Sequence, residues 1–252
     1  MQDSNVDVIY LSKRLYTVAN MVSKGCIVAD IGCDHGFVSI YLIESKTSPR
    51  VIAMDINDGP LLRAKEHISN KNLTEYIDIR KSDGAKALRW IDQSKKILEV
   101  NSLIAAGIGG RLVIKIMKES LDKIRTLNEL ILQPQSEVFL VRKFLEDNNF
   151  VIINEDMVLD DGKYYPVIKV VPSTHEKMNL NEYERYYGPL LIKNRNSTLE
   201  YYLIREREKY TALLKNLQKD NKDNTVTSSV DFAFIENKIT RITHTLAIMA
   251  RG

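Results

Sequence analysis

Cysteine is scarce: Cys26 and Cys33 are the only two in 252 residues. Two thiols exclude a disulfide framework and fit reduced side chains in a cytoplasmic protein. The four histidines, His35, His67, His175 and His244, form no metal-ligand spacing with them, so no metal is expected. No apolar run approaches the roughly 20 residues of a membrane span. The opening stretch, MQDSNVDVIYLSKRLYTV, has early Asp3 and Asp7 and no basic end before an apolar core, so no secretory leader is expected. Charge of one sign is also lacking, since 36 Lys/Arg stand against 33 Asp/Glu. That balance is uneven along the chain. Residues 176–252 hold 13 Lys/Arg and 10 Asp/Glu, which accounts for the whole excess. A basic tail attracts a polyanion.

What is present is an alternation. Strands are expected at 26–32, 50–56, 77–83, 102–108 and 129–135. Between them lie helical stretches at 36–46, 59–70, 84–96, 109–125 and 136–148. Asp58 and Pro60 open the second of these helices with a cap and first-turn signature. Near-continuously apolar strands alternating with helices predict a parallel sheet covered on both faces. Residues 150–172 read differently: strand, Asp-Asp-Gly turn, strand, a hairpin with no room for a crossover helix. The chain thus predicts five parallel strands closed by an antiparallel pair.

From residue 176 a second domain is expected. Leu199, Leu203, Glu206, Tyr210, Leu213 and Leu217 are spaced 4, 3, 4, 3, 4. After a polar break at 219–229, Phe232, Ile235, Ile239, Ile242, Leu246 and Met249 are spaced 3, 4, 3, 4, 3. Two heptad-patterned helices joined by a short loop predict a helical hairpin, coiled-coil-like. Its apolar stripe is explained by packing. Its exposed cations, among them Arg195, Arg205, Arg207 and Lys209, are not, and they read as a surface for RNA.

The turn in CIVADIGCDHGFVSIYLI (26–43) is where a ligand is expected. In an open parallel sheet, ligands sit beyond the carboxyl ends of the strands where strand order reverses. A nicotinamide fingerprint would read G-x-G-x-x-G, but this turn reads D-x-G-x-D-x-G, Asp30 to Gly36. Acidic residues there favour a cationic, phosphate-free cofactor, and S-adenosylmethionine, with its sulfonium and ammonium, is such a group. The second strand ends in Asp55 and Ile56, where a carboxylate can take ribose hydroxyls. The third ends in Ser82-Asp83-Gly84, where Asp83 can take the adenine amino group. The fourth ends in AAGIGG, and Ala106, Gly107, Gly109 and Gly110 allow close approach of backbone. Any one of these is more often a cap or turn residue. Together on one edge they predict cofactor binding by Asp30, Gly32, Asp55, Ile56, Asp83, Gly84, Ala106, Gly107, Gly109 and Gly110, in a Rossmann-like methyltransferase.

The motifs LSKRL, ADIGCDHGF, DGPL, SDGAKAL, AAGIGG, LILQPQ and DDGKYY follow one another in this chain. In that order they resemble the bacterial tRNA (adenine-22, N1)-methyltransferase family, closely over residues 10–172. Two departures stand out: Ile108 where the family commonly has Met, and Gln135 where it has Asn. The resemblance implies a seven-stranded Rossmann-like domain (1–175), a C-terminal helical domain (176–252), S-adenosylmethionine as donor and tRNA as substrate. It implies that Asp34 is required for activity, whereas the residue alone reads equally as a helix cap. It implies a functional Arg14, otherwise a surface residue of an amphipathic first helix, and His35 reads as a positioning residue toward the substrate. A monomer is expected. An Asn/Asp-Pro-Pro-aromatic motif, used for exocyclic amines, is absent, which argues against methylation at N6. A silent RNA-binding protein of this fold, or a methyltransferase acting on a protein or small molecule, remains the alternative.

Overall fold

In the computed structural model, which describes residues 10–175, 177–220 and 229–251, the chain divides into two units, Met1–Asn179 and Leu180–Gly252. The first unit begins with α1 (Lys13–Asn20), β1 (Val28–Ile31), α2 (Phe37–Glu44), β2 (Val51–Asp55), α3 (Asp58–Asn70) and β3 (Ile77–Lys81). A small antiparallel pair follows, β4 (Trp90–Asp92) and β5 (Ile97–Leu98). Then come β6 (Ser102–Ile108), α4 (Gly110–Glu119), α5 (Leu121–Ile124), β7 (Glu129–Pro134), α6 (Val138–Asp147), β8 (Phe150–Asp160) and β9 (Lys163–Pro172).

Seven strands form one sheet in the order β3-β2-β1-β6-β7-β9-β8. β1 pairs in parallel with β2 on one side and β6 on the other, with Val28 opposite both Val51 and Ser102. All four β1 residues are buried. Successive side chains of a strand point to opposite faces, so both faces of the sheet are covered here. The five parallel strands and the closing hairpin stand as the sequence predicts. β9 lies between β7 and β8 and pairs antiparallel with both. β8 therefore runs in the direction of the parallel five, and β9 alone opposes them.

Three local expectations are corrected. No helix spans 84–96. Ser82 Oγ bonds the Gly84 carbonyl and accepts from the Ala87 N–H, and Asp92 Oδ1 accepts from the Ser94 hydroxyl and the Lys95 N–H. Side chains that bond nearby backbone compete with a helix, and here they yield turns and the β4–β5 pair. The residue preceding α3 is Asn57, which makes no side-chain cap bond, while Asp58 sits inside the first turn and pairs with Lys81 at 2.7 Å. The helix expected over 109–125 is two, interrupted at Ser120.

The second unit contains α7 (Glu182–Tyr187), α8 (Pro189–Lys193), α9 (Ser197–Asp220) and α10 (Ser229–Arg251). The long pair was legible from its heptads. Leu199, Leu203, Ile235, Ile242 and Met249 are buried, and Glu206 at the seam meets Lys238 at 3.1 Å. Leu213 departs from the stripe and is exposed. Of the polar break expected over 219–229, residues 221–228 lie outside the described residues. The short α7 and α8 were not foreseen. They carry readable signals: a capping box between Asn181 and Glu184, then Gly188 before Pro189.

One buried ion pair ties α6 to β8. Arg142 Nε lies 2.9 Å from Glu155 Oε1, and the side chains are 1% and 0% exposed. Removing one partner strands a charge in the interior. Glu155→Ala should cost about 3–5 kcal/mol in urea denaturation, and the double replacement Arg142→Met with Glu155→Leu should cost less.

Candidate active site

β1 ends at Ile31, and the chain turns through Gly32, Cys33, Asp34, His35 and Gly36 into α2. The turn is built on left-handed backbone: Gly32 and Gly36 have φ of 72° and Asp34 has φ of 46°. Gly36 precedes α2 directly. Asp34 is therefore not the cap of that helix, and its side chain is engaged elsewhere. Arg63 Nη2, from α3, reaches Asp34 Oδ1 at 2.8 Å. His35 Nε2 stands 3.7 Å from the other oxygen.

A cavity of about 310 Å³ opens beyond the carboxyl ends of β1, β2 and β6. Arg14, Asp30, Gly32, Asp34, His35, Asp55, Ala106 and Gly107 line it, with Leu15, Cys33, Phe37, Val38, Pro60 and Ile108. Three carboxylates thus converge on one space. Asp30 is buried, and its Oδ2 accepts from Ser39 Oγ at 2.7 Å. Burial pushes the Asp30 carboxyl up to about 6, against the Ser39 bond that favours the charged form. Asp55 Oδ1 accepts from the Asn57 N–H at 2.9 Å. The Cys33 thiol is raised well above its ordinary value, chiefly by burial and then by Asp30 and Asp55.

Aromatic rings form the wall behind the turn. His35 stacks on Phe37 at 5.2 Å and on His67 at 5.5 Å, with Phe37 and His67 4.9 Å apart. His67 Nδ1 donates to the His35 carbonyl at 2.9 Å. The buried His35 Nδ1 has no hydrogen-bond partner among the described residues. The three carboxylates on one cavity fit a polar and cationic ligand.

Arg14 lies on α1 and is half-buried rather than free on a surface. Its Nη1 donates to Gln133 Oε1 at 2.8 Å, its backbone N–H donates to Asp160 Oδ2 at 3.2 Å, and its guanidinium sits 5.3 Å from the Tyr165 ring centre.

Five of the residues expected to bind the cofactor do not line the cavity. Ile56 follows Asp55 and is exposed. Asp83 is bound by Lys86, which holds its carboxyl below the ordinary range. A Cβ on Gly84 would stand 3.0 Å from Ile116. A Cβ on Gly110 would fall 2.3 Å from the Ser136 carbonyl, so its close approach is to the protein's own backbone. A Cβ on Gly109 would stand 3.4 Å from the Ser136 hydroxyl. Arg195, Arg205 and Lys209 are exposed in the second unit and Arg207 is half-buried, with Arg205 over Tyr201 at 5.7 Å. Two residues escaped the sequence reading, Arg63 and Gln133. Gln133 had a signal: an amide within a wholly buried strand must find a partner.

No helix among the described residues is long and apolar enough to cross a membrane, and no group of three His, Cys, Asp or Glu among them is placed to hold a metal ion. The switch in strand order over an acidic cavity marks a Rossmann-like domain whose site suits a cationic, phosphate-free cofactor. The sequence profile of TrmK, tRNA (adenine(22)-N(1))-methyltransferase, matches residues 28–243, and the chain belongs to this family. It transfers a methyl group from S-adenosylmethionine to N1 of an adenine in tRNA. The chain is 31% identical to the Bacillus subtilis tRNA (adenine(22)-N(1))-methyltransferase, covering 74% of this chain and 77% of that one. A Streptococcus pneumoniae protein described as a putative tRNA (m1A22) methyltransferase, solved with S-adenosyl-L-methionine, is 30% identical. It superposes with a TM-score of 0.80 over 94% of this chain and 100% of its own. Mycoplasma capricolum TrmK, solved with S-adenosyl-homocysteine, is 25% identical with a TM-score of 0.77, over 95% and 99% of the two chains.

Asp30 makes stability depend on pH. Its folded pKa lies above the unfolded value, so the folded state binds the proton more tightly, and stability falls as pH rises from about 4 to 6. Asp30→Asn should remove this slope. Relative to wild type, the variant should gain up to about 3 kcal/mol between pH 4 and 7 in urea titrations.

Proposed function

We propose that the acidic cavity holds the donor and that Asp34 and Arg14 face the adenine and its RNA. The observation that carries this reading is the convergence of Asp30, Asp34 and Asp55 on one space at the switch of strand order. Asp55 accepts from ribose hydroxyls, with Ile56 against the adenine face. Gly32, Ala106 and Gly107 offer backbone to the amino-acid end, with Asp30 opposing its ammonium. Asp83 and Gly84 serve the adenine end, where the donor amino group competes with Lys86 for the Asp83 carboxylate. Gly109 and Gly110 act on the donor through the turn that they shape. Bound there, S-adenosylmethionine supplies an electrophilic methyl on a sulfonium.

The rest of the reaction needs little apparatus. Adenine N1 has a free lone pair, so no base has to remove a proton first. Positioning alone contributes about 7–11 kcal/mol in well-oriented cases. Asp34, held by Arg63, accepts from the adenine amino group and opposes the positive charge that develops on the ring. His35 positions the base through its stack with Phe37 and His67. The base must leave its stack to reach the cavity, at a cost of a few kcal/mol. Arg195, Arg205, Arg207 and Lys209 give the second unit its RNA-facing cations. The enzyme works in the cytoplasm as a monomer, the α9–α10 stripe being satisfied within the chain by pairs such as Glu206 with Lys238.

Incubation with unmodified tRNA and labelled donor, then digestion and mass spectrometry, should yield N1-methyladenine. Digests before and after mild alkali separate it from the N6 isomer. Asp34→Ala should abolish transfer while S-adenosylhomocysteine affinity, by calorimetry, falls only modestly. Near-normal turnover in that variant, or equal methylation of a tRNA with guanine at position 22, contradicts the assignment. Charge reversal at Arg205, Arg207 and Lys209 together should weaken tRNA binding and flatten its salt dependence, with donor affinity unchanged. An unaltered salt slope would remove these residues from the RNA surface.

A further inference from the structure

We propose that Gln133 is a positioning residue for methyl transfer. Its buried, uncharged amide holds the Arg14 guanidinium at the cavity without neutralising it, which leaves the cation for an RNA phosphate. The proposal rests on the reading of Arg14 given above.

Gln133 is wholly buried near the end of β7. One atom joins three elements: Oε1 accepts from Arg14 Nη1 of α1 at 2.8 Å and from the Gly107 N–H of β6 at 3.0 Å. Gly107 makes the room for this. It has φ of 76°, and a Cβ there would stand 3.1 Å from Arg14 Nη1. Both Arg14 and Gly107 line the cavity, and Gln133 stands behind them.

The choice of an amide is informative. A glutamate of the same length would accept the same two bonds, and a charge-assisted bond to arginine is roughly twice as strong as a neutral one. It would also cancel the guanidinium charge. Among the described residues no carboxylate pairs with that guanidinium. Asp160 meets only the Arg14 backbone N–H, and the other contact is the face of Tyr165. The Arg14 guanidinium is therefore fixed by neutral partners alone among the described residues while its charge stays available. The ligand chemistry this selects is an anionic oxygen brought by the substrate, and tRNA carries such oxygens in every phosphate.

The full-length chain tests this through Gln133→Glu, Gln133→Met and Arg14→Gln. Gln133→Glu gives up the Nε2 bond to the Pro134 carbonyl at 3.4 Å in exchange for a charge-assisted bond to Arg14; it should still fold cooperatively and bind S-adenosylhomocysteine within about twofold. Its kcat/KM for tRNA should fall by about tenfold or more, mostly in KM, and the salt slope of tRNA binding should drop by about one. Arg14→Gln should lose the same slope, and combining it with Gln133→Glu should cost little more. Gln133→Met keeps the volume but offers no acceptor; it should lower kcat and leave the salt slope intact. An unchanged slope in Arg14→Gln overturns the underlying reading of Arg14. A slope lost in Arg14→Gln but kept in Gln133→Glu overturns the neutral-clamp proposal alone. Wild-type kcat in Gln133→Met, or a donor affinity that falls as far as turnover in Gln133→Glu, overturns it as well.

Discussion

Burial of β1 on both faces, between β2 and β6, is the constraint from which the rest follows. A parallel strand buried on both faces has no wet side on which to place polar chemistry. Polar residues collect near the strand ends, and one within the strand needs a partner, as Asp30 has in Ser39. Because neighbouring strands run the same way, their stops share one edge, and the turn after β1, Asp55 at the end of β2 and Gly107 near the end of β6 meet around one cavity. The strand order reverses between β1 and β6, so the connecting helices leave in opposite directions and the space between them stays open. Catalytic chemistry was placed at this edge by topology before any side chain was chosen.

Charge placement then divides the cavity. The carboxylates Asp30 and Asp55 sit at the β1 and β2 ends, one buried and bonded to a serine, one bonded to a backbone N–H. Asp34 is exposed and fixed by Arg63. Arg14 enters from α1 and is fixed by an amide and a tyrosine face. Each charge is held by bonds that orient it, and only Asp34 is held by an opposite charge. A cationic donor and an electron-rich base can then share the space, each meeting the groups of suitable sign.

Much of this was legible in the sequence. The β1 turn, the acidic strand ends and the 150–172 hairpin carry local signals that tertiary context leaves intact. Five parallel strands emerged near their expected bounds because continuous apolar runs flanked by Gly and Asp have few other solutions. The failures have local physical causes. At 84–96, Ser82 and Asp92 bonded backbone and turned a nominal helix into turns and a short hairpin. At Gly110 a glycine expected to admit a ligand admits the Ser136 carbonyl. The partners of functional side chains were the least legible: Arg63 lies 29 residues from Asp34, and Gln133 lies 119 from Arg14. No periodicity or motif spacing records such pairings, which exist only once the sheet is assembled.

Cys33 lies in the cavity wall, one residue from Asp34, yet its thiol is raised by burial and by Asp30 and Asp55. The thiolate is the form that attacks electrophiles and peroxides. A sulfur kept protonated at neutral pH is a poor nucleophile toward either. Burial first, and then the acidic residues that favour a sulfonium ligand, thus quiet the sulfur in the cavity wall. A site that handles an electrophilic methyl group keeps the sulfur in its own wall in the less reactive form.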